Sequence, residues 1–211
     1  MRLPAVCCVA VLGAALLLAG CSGGGKPPLR PMGAADNGFD SRPRDPRFHN
    51  EQQPDVALRN DACALLDARP HWREALAQTR SEWQIHPWYV LAFMHQESSF
   101  NPKALSTSDA YGYAQVKAPT WDWYMLKRGR RNVSRERFDD AVDFIGWYAH
   151  QNVARNGVAL NDVRNQYLAY HEGLGGYESG SFMAKPWLLT ISDKVADRAM
   201  FYQGQLLECP F

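Results

Sequence analysis

This 211-residue chain has no excess of charge of either sign: 23 Lys and Arg stand against 22 Asp and Glu, a formal net charge of +1. That balance gives no general case for a nucleic acid partner. Long hydrophobic runs are scarce. The one sustained run, Ala5 to Ala19, is shorter than the ~20 residues of a comfortable membrane span. Cysteine is sparse as well, with five in all, and three of them (Cys7, Cys8 and Cys21) belong to the first 21 residues. Neither the remaining pair nor the six histidines show metal-ligand spacing. His171-Glu172 begins like a zinc-protease motif, but glycine stands at 175 where the second histidine belongs. No metal and no cofactor is expected. Internal repeats are missing and strand-like alternation is weak, which leaves a mostly helical domain.

The first residues carry a targeting pattern. Arg2 is the only charge in the first 25 residues, and the short apolar run follows it. Such a segment reads as a secretory signal peptide over residues 1–20. It ends in Leu18-Ala19-Gly20-Cys21, which resembles the lipobox of bacterial lipoproteins. That resemblance implies a lipid on Cys21 as the membrane anchor. Ser22, a non-aspartate, implies sorting to the outer membrane with the protein facing the periplasm. Export in turn permits a disulfide between Cys63 and Cys209. Two separate buried thiols are the alternative.

Residues 22–58 hold six of the thirteen prolines and five glycines, with balanced charges and no period. They read as a flexible linker, so residues 21–58 are expected as a lipidated tether and residues 59–211 as one domain. Prolines 70, 87, 119 and 186 stand where a first helical turn accepts them. The spacing predicts helices over 71–83, 88–97, 120–127 and 139–155, another from an Asn161 cap to His171, and one over 187–206. The seven tryptophans and nine tyrosines are mostly core by this reading, with Tyr111 and Tyr177 as loop candidates for contact with sugar.

In the segment after Pro87, Val90, Phe93, Met94 and Glu97 recur at helical spacing and share one face. That face is apolar except for the glutamate. A carboxyl held against apolar side chains loses hydration of its charged form, and its pKa rises. This is the condition for an acid that stays protonated near neutrality and donates to a leaving oxygen. On the helix alone, a glutamate reaching solvent from the edge of the stripe is the simpler reading.

The following residues change the balance. Glu97, Ser98, Phe100, Pro102, Ala104 and Ser106 are followed by Gly112 and by Gln115, eighteen residues past the glutamate. Ala169-Tyr170-His171-Glu172-Gly173 forms a second motif. Together these resemble the lysozyme-like lytic transglycosylases (SLT domain), in their membrane-bound lipoprotein form, with the resemblance covering about residues 85–175. It implies a mainly α, lysozyme-like single domain with at most a small irregular hairpin between Ser106 and Val116. It also implies non-hydrolytic cleavage of peptidoglycan glycan strands. Glu97 would be the catalytic acid, and Ser106, Gln115 and Tyr170 would contact the sugar or the acid.

Two positions depart from the family pattern. Tyr113-Ala114 replaces leucine-methionine before the glutamine, and His171 replaces the asparagine after the tyrosine. Tyr113 and His171 are therefore expected as substituted sugar contacts. A true hydrolase using Glu172 or Asp109 as a second carboxylate, and a non-catalytic glycan-binding lipoprotein, are the alternatives.

Overall fold

A computed structural model of the chain describes residues 45–209. The signal peptide, Cys21 and most of the expected linker lie outside the described residues. Nine α-helices occur among the described residues: α1 (Val56–Arg59), α2 (Ala62–Ala68), α3 (Pro70–Trp83), α4 (Pro87–Ser98), α5 (Ala118–Arg128), α6 (Phe138–Asn156), α7 (Val163–Glu172), α8 (Leu174–Glu178) and α9 (Pro186–Glu208). Two 3₁₀ turns, Pro46–Phe48 and Ser181–Ala184, complete the order. The fold is mainly α. Two isolated antiparallel bridges, Leu105 with Tyr111 and Tyr111 with Val116, form the small irregular hairpin.

The helix boundaries follow local chemistry. Proline occupies the first turn of α3, α4, α5 and α9, where its missing N–H costs nothing. Gly129 and Gly157 close α5 and α6 in the left-handed conformation. Aspartates cap α1, α2 and α7: Asp55, Asp61 and Asp162 accept from Leu58 N, Ala64 N and Asn165 N. The cap of α7 is thus Asp162 rather than the expected Asn161.

α4 is the centre of the domain. Tyr89 to Met94 are all buried, so this helix is covered on every side rather than along one stripe. α9 packs along α4 and α7, and α3 packs along α6. Buried Asp143 fastens α3, α5 and α6 together, accepting from Trp83 Nε1 at 2.8 Å and Tyr124 Oη at 2.5 Å, with Arg130 at 3.0 Å.

The expected domain boundary needs correction. Residues 45–58, with two prolines and no period, fall within the expected tether. They instead pack onto the domain: Phe48 and Pro54 are buried, and the Glu51 side chain is only 7% exposed. A non-periodic segment can be ordered by partners far away in sequence, which composition does not register.

The structure joins Cys63 to Cys209, with their Cα atoms 5.8 Å apart, tying α2 to the end of α9. The bridge closes 146 residues of chain, a large loop in the chain-entropy model. A Cys63→Ser, Cys209→Ser double variant should lose up to ~4–5 kcal/mol of stability. Thermal unfolding with and without reductant checks this. The wild type should drop towards the variant on reduction, and an unchanged wild type would count against a stabilising bridge.

Candidate active site

Glu97 stands in the last turn of α4, and the chain leaves that helix abruptly. Ser99 and Phe100 both adopt left-handed backbone, with φ of 51° and 59°. Such conformations cost roughly 1 kcal/mol or more for non-glycine residues. Burial holds them in place: Phe100 is fully buried, with its ring 5.8 Å from Trp72 and 5.7 Å from His95.

The chain then folds back as a loop over residues 104–116. Gly112 donates to Ala104 O at 2.9 Å, and Tyr111 and Val116 exchange backbone bonds at 3.1 and 3.2 Å. Gly112 has φ of 79°, and a Cβ there would collide with the backbone of Arg135. Only glycine fits both requirements. Gln115 also has positive φ, and its side-chain amide donates to Ala104 O at 2.8 Å and Gly112 O at 3.0 Å.

Three elements pin this loop from outside. Ser98 of α4 donates its hydroxyl to Tyr113 O at 2.7 Å. Tyr170 of α7 donates to Ala114 O at 2.6 Å. Tyr113 N donates to Arg135 O at 3.1 Å, and Arg135 returns a bond to Val116 O at 2.7 Å. Two successive carbonyls are therefore held by two different helices.

The Glu97 residue keeps a little exposed surface, but its Oε1 is buried and has no hydrogen-bond partner among the described residues. Around it, Phe93 meets Tyr167 at 5.1 Å and Tyr170 at 5.3 Å, both edge to face. Burial pushes the carboxyl up to about 7, while a bond from the Tyr167 hydroxyl pulls the other way. Burial also raises both tyrosines, with the neighbouring Glu97 charge adding to the effect, so each remains a neutral donor. The arrangement offers a carboxyl that exchanges its proton near neutrality beside a partly open surface.

The sequence-expected residues fare differently. Gln115 and Tyr170 are brought to the loop beside α4, but the Tyr170 hydroxyl is spent on Ala114 O. The hydroxyl acting on Glu97 is that of Tyr167, one helical turn earlier. Sequence reasoning missed Tyr167, although spacing of three puts it on the same face as Tyr170. Ser106 organises its own turn, accepting from Ala110 N at 3.0 Å and Ser108 N at 3.3 Å.

Tyr113 is a correction. It is fully buried, its ring lies edge-on to Trp72 and Phe138, and its hydroxyl donates to Glu51 at 2.9 Å. It is a core residue and cannot reach a sugar without repacking. Trp121, Tyr124, Trp147 and Tyr148 are likewise buried.

His171 is exposed at the end of α7, its ring 5.2 Å from that of Trp187. Glu172 behaves unlike Glu97. Burial pushes its carboxyl up, but bonds from Lys185, Ser181 and His171 together bring it below the usual range. Lys185 Nζ lies 2.7 Å from Oε1 and 2.9 Å from Oε2. Glu172 is thus an ionised tie between α7 and the start of α9. Asp109 is exposed in a turn, with φ of 63°.

The raised Glu97 pKa has a sign in stability. The folded state holds the proton more tightly than the unfolded chain, whose carboxyl titrates near 4.5. Stability therefore falls as pH rises from the unfolded value through about 7, by up to ~3 kcal/mol. Glu97→Gln should unfold at a higher temperature than wild type at about pH 8, with the gap shrinking towards about pH 5. An equal gap at both pH values would mean an unshifted carboxyl.

Comparison with known proteins gives the sequence a family. The sequence matches the family model described as "Transglycosylase SLT domain" over residues 9–209. Among curated relatives, the Membrane-bound lytic murein transglycosylase C of Yersinia enterocolitica is 30% identical over 120 residues, 55% of this chain and 33% of that protein. The protein of the same name from Pectobacterium atrosepticum is 35% identical over 107 residues, 49% of this chain and 28% of that protein. The one from Photorhabdus laumondii is 31% identical over 120 residues. The match thus spans a third or less of these relatives' length. A match across nearly the whole sequence, with Glu97 and its loop at the centre of the fold, means that this chain belongs to the transglycosylase SLT domain family.

Proposed function

We propose that this protein is a peptidoglycan lytic transglycosylase. The observation that carries the reading is the carboxyl of Glu97, pushed up to about 7 by burial, with one oxygen that has no hydrogen-bond partner among the described residues. Protonated Glu97 gives its proton to the glycosidic oxygen between the muramoyl and glucosaminyl sugars, and the C–O bond breaks. The substrate's own N-acetyl group stabilises the resulting cation. Glu97, now a carboxylate, takes the proton from the muramoyl 6-hydroxyl. That oxygen bonds to the anomeric carbon and leaves a 1,6-anhydro end, with no water consumed. Gln115, Ser106, Tyr170 and His171 are the residues we assign to the substrate side of the site. Tyr167 tunes the acid.

Hydrolysis by a second carboxylate finds less support. Glu172 is engaged by Lys185, and Asp109 is a turn residue. The relatives' names, membrane-bound lytic murein transglycosylase, support both the reaction and a membrane-associated setting, which we place in the periplasm. We further propose that residues 1–20 are a signal peptide, that Cys21 carries a lipid, and that the anchor lies in the outer membrane. No helix among the described residues is long and apolar enough to cross a membrane.

Digestion of purified sacculi by the full-length chain in detergent, with products resolved by mass spectrometry, tests this reading. Muropeptides lighter by about one water than lysozyme products are expected, and Glu97→Gln should release them about 10²–10⁴-fold more slowly. Reducing ends would instead make the enzyme a hydrolase. Turnover should fall as pH rises through about 7, where Glu97 loses its proton.

A further inference from the structure

The segment from Asp45 to Pro54, which composition reads as tether, touches the end of α4 at Ser99 and the 112–116 loop at Tyr113. Glu51 is its centre. One carboxylate oxygen accepts from Trp72 Nε1 at 2.7 Å and lies 2.7 Å from His71 Nε2. The other accepts from the Tyr113 hydroxyl at 2.9 Å. Two residues on, Gln53 Nε2 donates to Ser99 O at 3.1 Å, the carbonyl of the residue that ends α4. Arg69 Nη2 fixes the stretch between them by donating to Gln52 O at 3.0 Å.

Each contact leads to the site by one further step. Tyr113 lies in the loop of Gly112 to Gln115, and its own carbonyl receives the hydroxyl of Ser98, next to Glu97. Tyr113 is thus held at the phenol end by the strap and at the backbone end by α4. Trp72 also serves the site, because it packs against Phe100 on one side and stacks on Phe138 at 3.8 Å. Ser99 is one of the two left-handed residues that must hold their conformation for α4 to stop where it does.

We propose that Glu51, acting through Tyr113, and Gln53, acting through Ser99, are positioning residues that fix the backbone carrying Glu97 and Gln115. Neither is assigned any contact with the substrate. Both oxygens of the Glu51 carboxylate accept, and the Trp72 indole and the Tyr113 phenol both donate to them. A glutamine there can still accept from Trp72 and donate its amide to the Tyr113 oxygen, because a phenol also accepts, so it leaves both ties in place. A methionine of similar length replaces neither acceptor, so both ties are lost and a buried donor is left unpaired. Displacing a reacting group by about 1 Å costs on the order of 100-fold in rate. A loose loop therefore shows in turnover before it shows in substrate affinity. The turnover effect rests on the transglycosylase reading, whereas the ordering of the loop does not.

The test compares the full-length wild type with Tyr113→Phe, Glu51→Met, their double variant and Gln53→Ala. Tyr113→Phe is the decisive single change, because it keeps the ring packing and the backbone and removes only the hydroxyl. Two readouts are taken on variants that still unfold cooperatively: turnover of sacculus glycan, split into kcat and KM, and amide hydrogen exchange by peptide. We expect faster exchange at residues 112–116 in Tyr113→Phe and Glu51→Met, and at residues 98–100 in Gln53→Ala, with α9 unchanged. We expect kcat lower by about tenfold or more at nearly constant KM. The double variant should be no worse than the weaker single, because both break the tie between Glu51 and Tyr113.

Unchanged exchange in the loop, or a kcat within about twofold of wild type while the loop is loosened, would overturn the proposal. Should Glu51→Met fail to fold, Tyr113→Phe alone decides it. If the wild type releases no product at all, it is the function reading that has failed, and the exchange pattern still judges the positioning.

Discussion

Burying the Glu97 carboxyl at the last turn of α4 costs free energy that the surrounding packing must offset. Most of the domain can be read as that offset. α4 is covered on all sides by apolar and aromatic side chains, with α9 and α7 laid along it. Each fully buried large side chain contributes roughly 1.5–3 kcal/mol, so a few of them outweigh one strained carboxyl. The surroundings set the pKa because they are apolar and lack a cation: burial raises it, and only a tyrosine hydroxyl opposes the rise. Glu172 is the internal control. It too has a buried side chain, but Lys185 lies beside it, and its carboxyl is driven below the usual range. Two glutamates in one domain thus take opposite protonation behaviour from their neighbours.

The backbone around the carboxyl is held just as firmly. The 112–116 loop has little regular structure of its own, since its only ladder contacts are isolated bridges. Its order comes from side chains that reach in from α4, α7, the 129–137 connection and the N-terminal strap. A site assembled this way has a rigid floor without regular structure of its own. It also means that residues with no substrate contact, such as Glu51, bear on the chemistry.

Much of this was legible in the sequence, for identifiable reasons. The six long helices follow from proline at the first turns of α3, α4, α5 and α9, glycine after α5, α6 and α7, and apolar spacing, all of which are local signals. Glu97 stood out because it interrupts an apolar face, and the spaced residues after it narrowed the reading. What was not legible depends on contacts distant in sequence. Residues 46–54 have no period and only Pro46 and Pro54 as local signals, yet Trp72 and Tyr113 order them through Glu51. Tyr113 looked like a sugar contact by its place in the motif, but burial makes it a core residue. Tyr170 was matched to Glu97 by motif, while the hydroxyl that acts there belongs to Tyr167. Motif position identifies which helix faces the site. It does not say which of two tyrosines on that face turns its hydroxyl to the acid.

The central claim is that Glu97 is an acid poised near neutrality by burial alone. The most direct measurement is a carboxyl-carbon NMR titration of the protein labelled at glutamate side chains, with the Glu97 signal assigned by its loss in Glu97→Gln. The account predicts a midpoint of about 7 for that signal. A midpoint near the ordinary 4.5 would contradict it, and would mean that the carboxyl is hydrated and ionised at neutral pH.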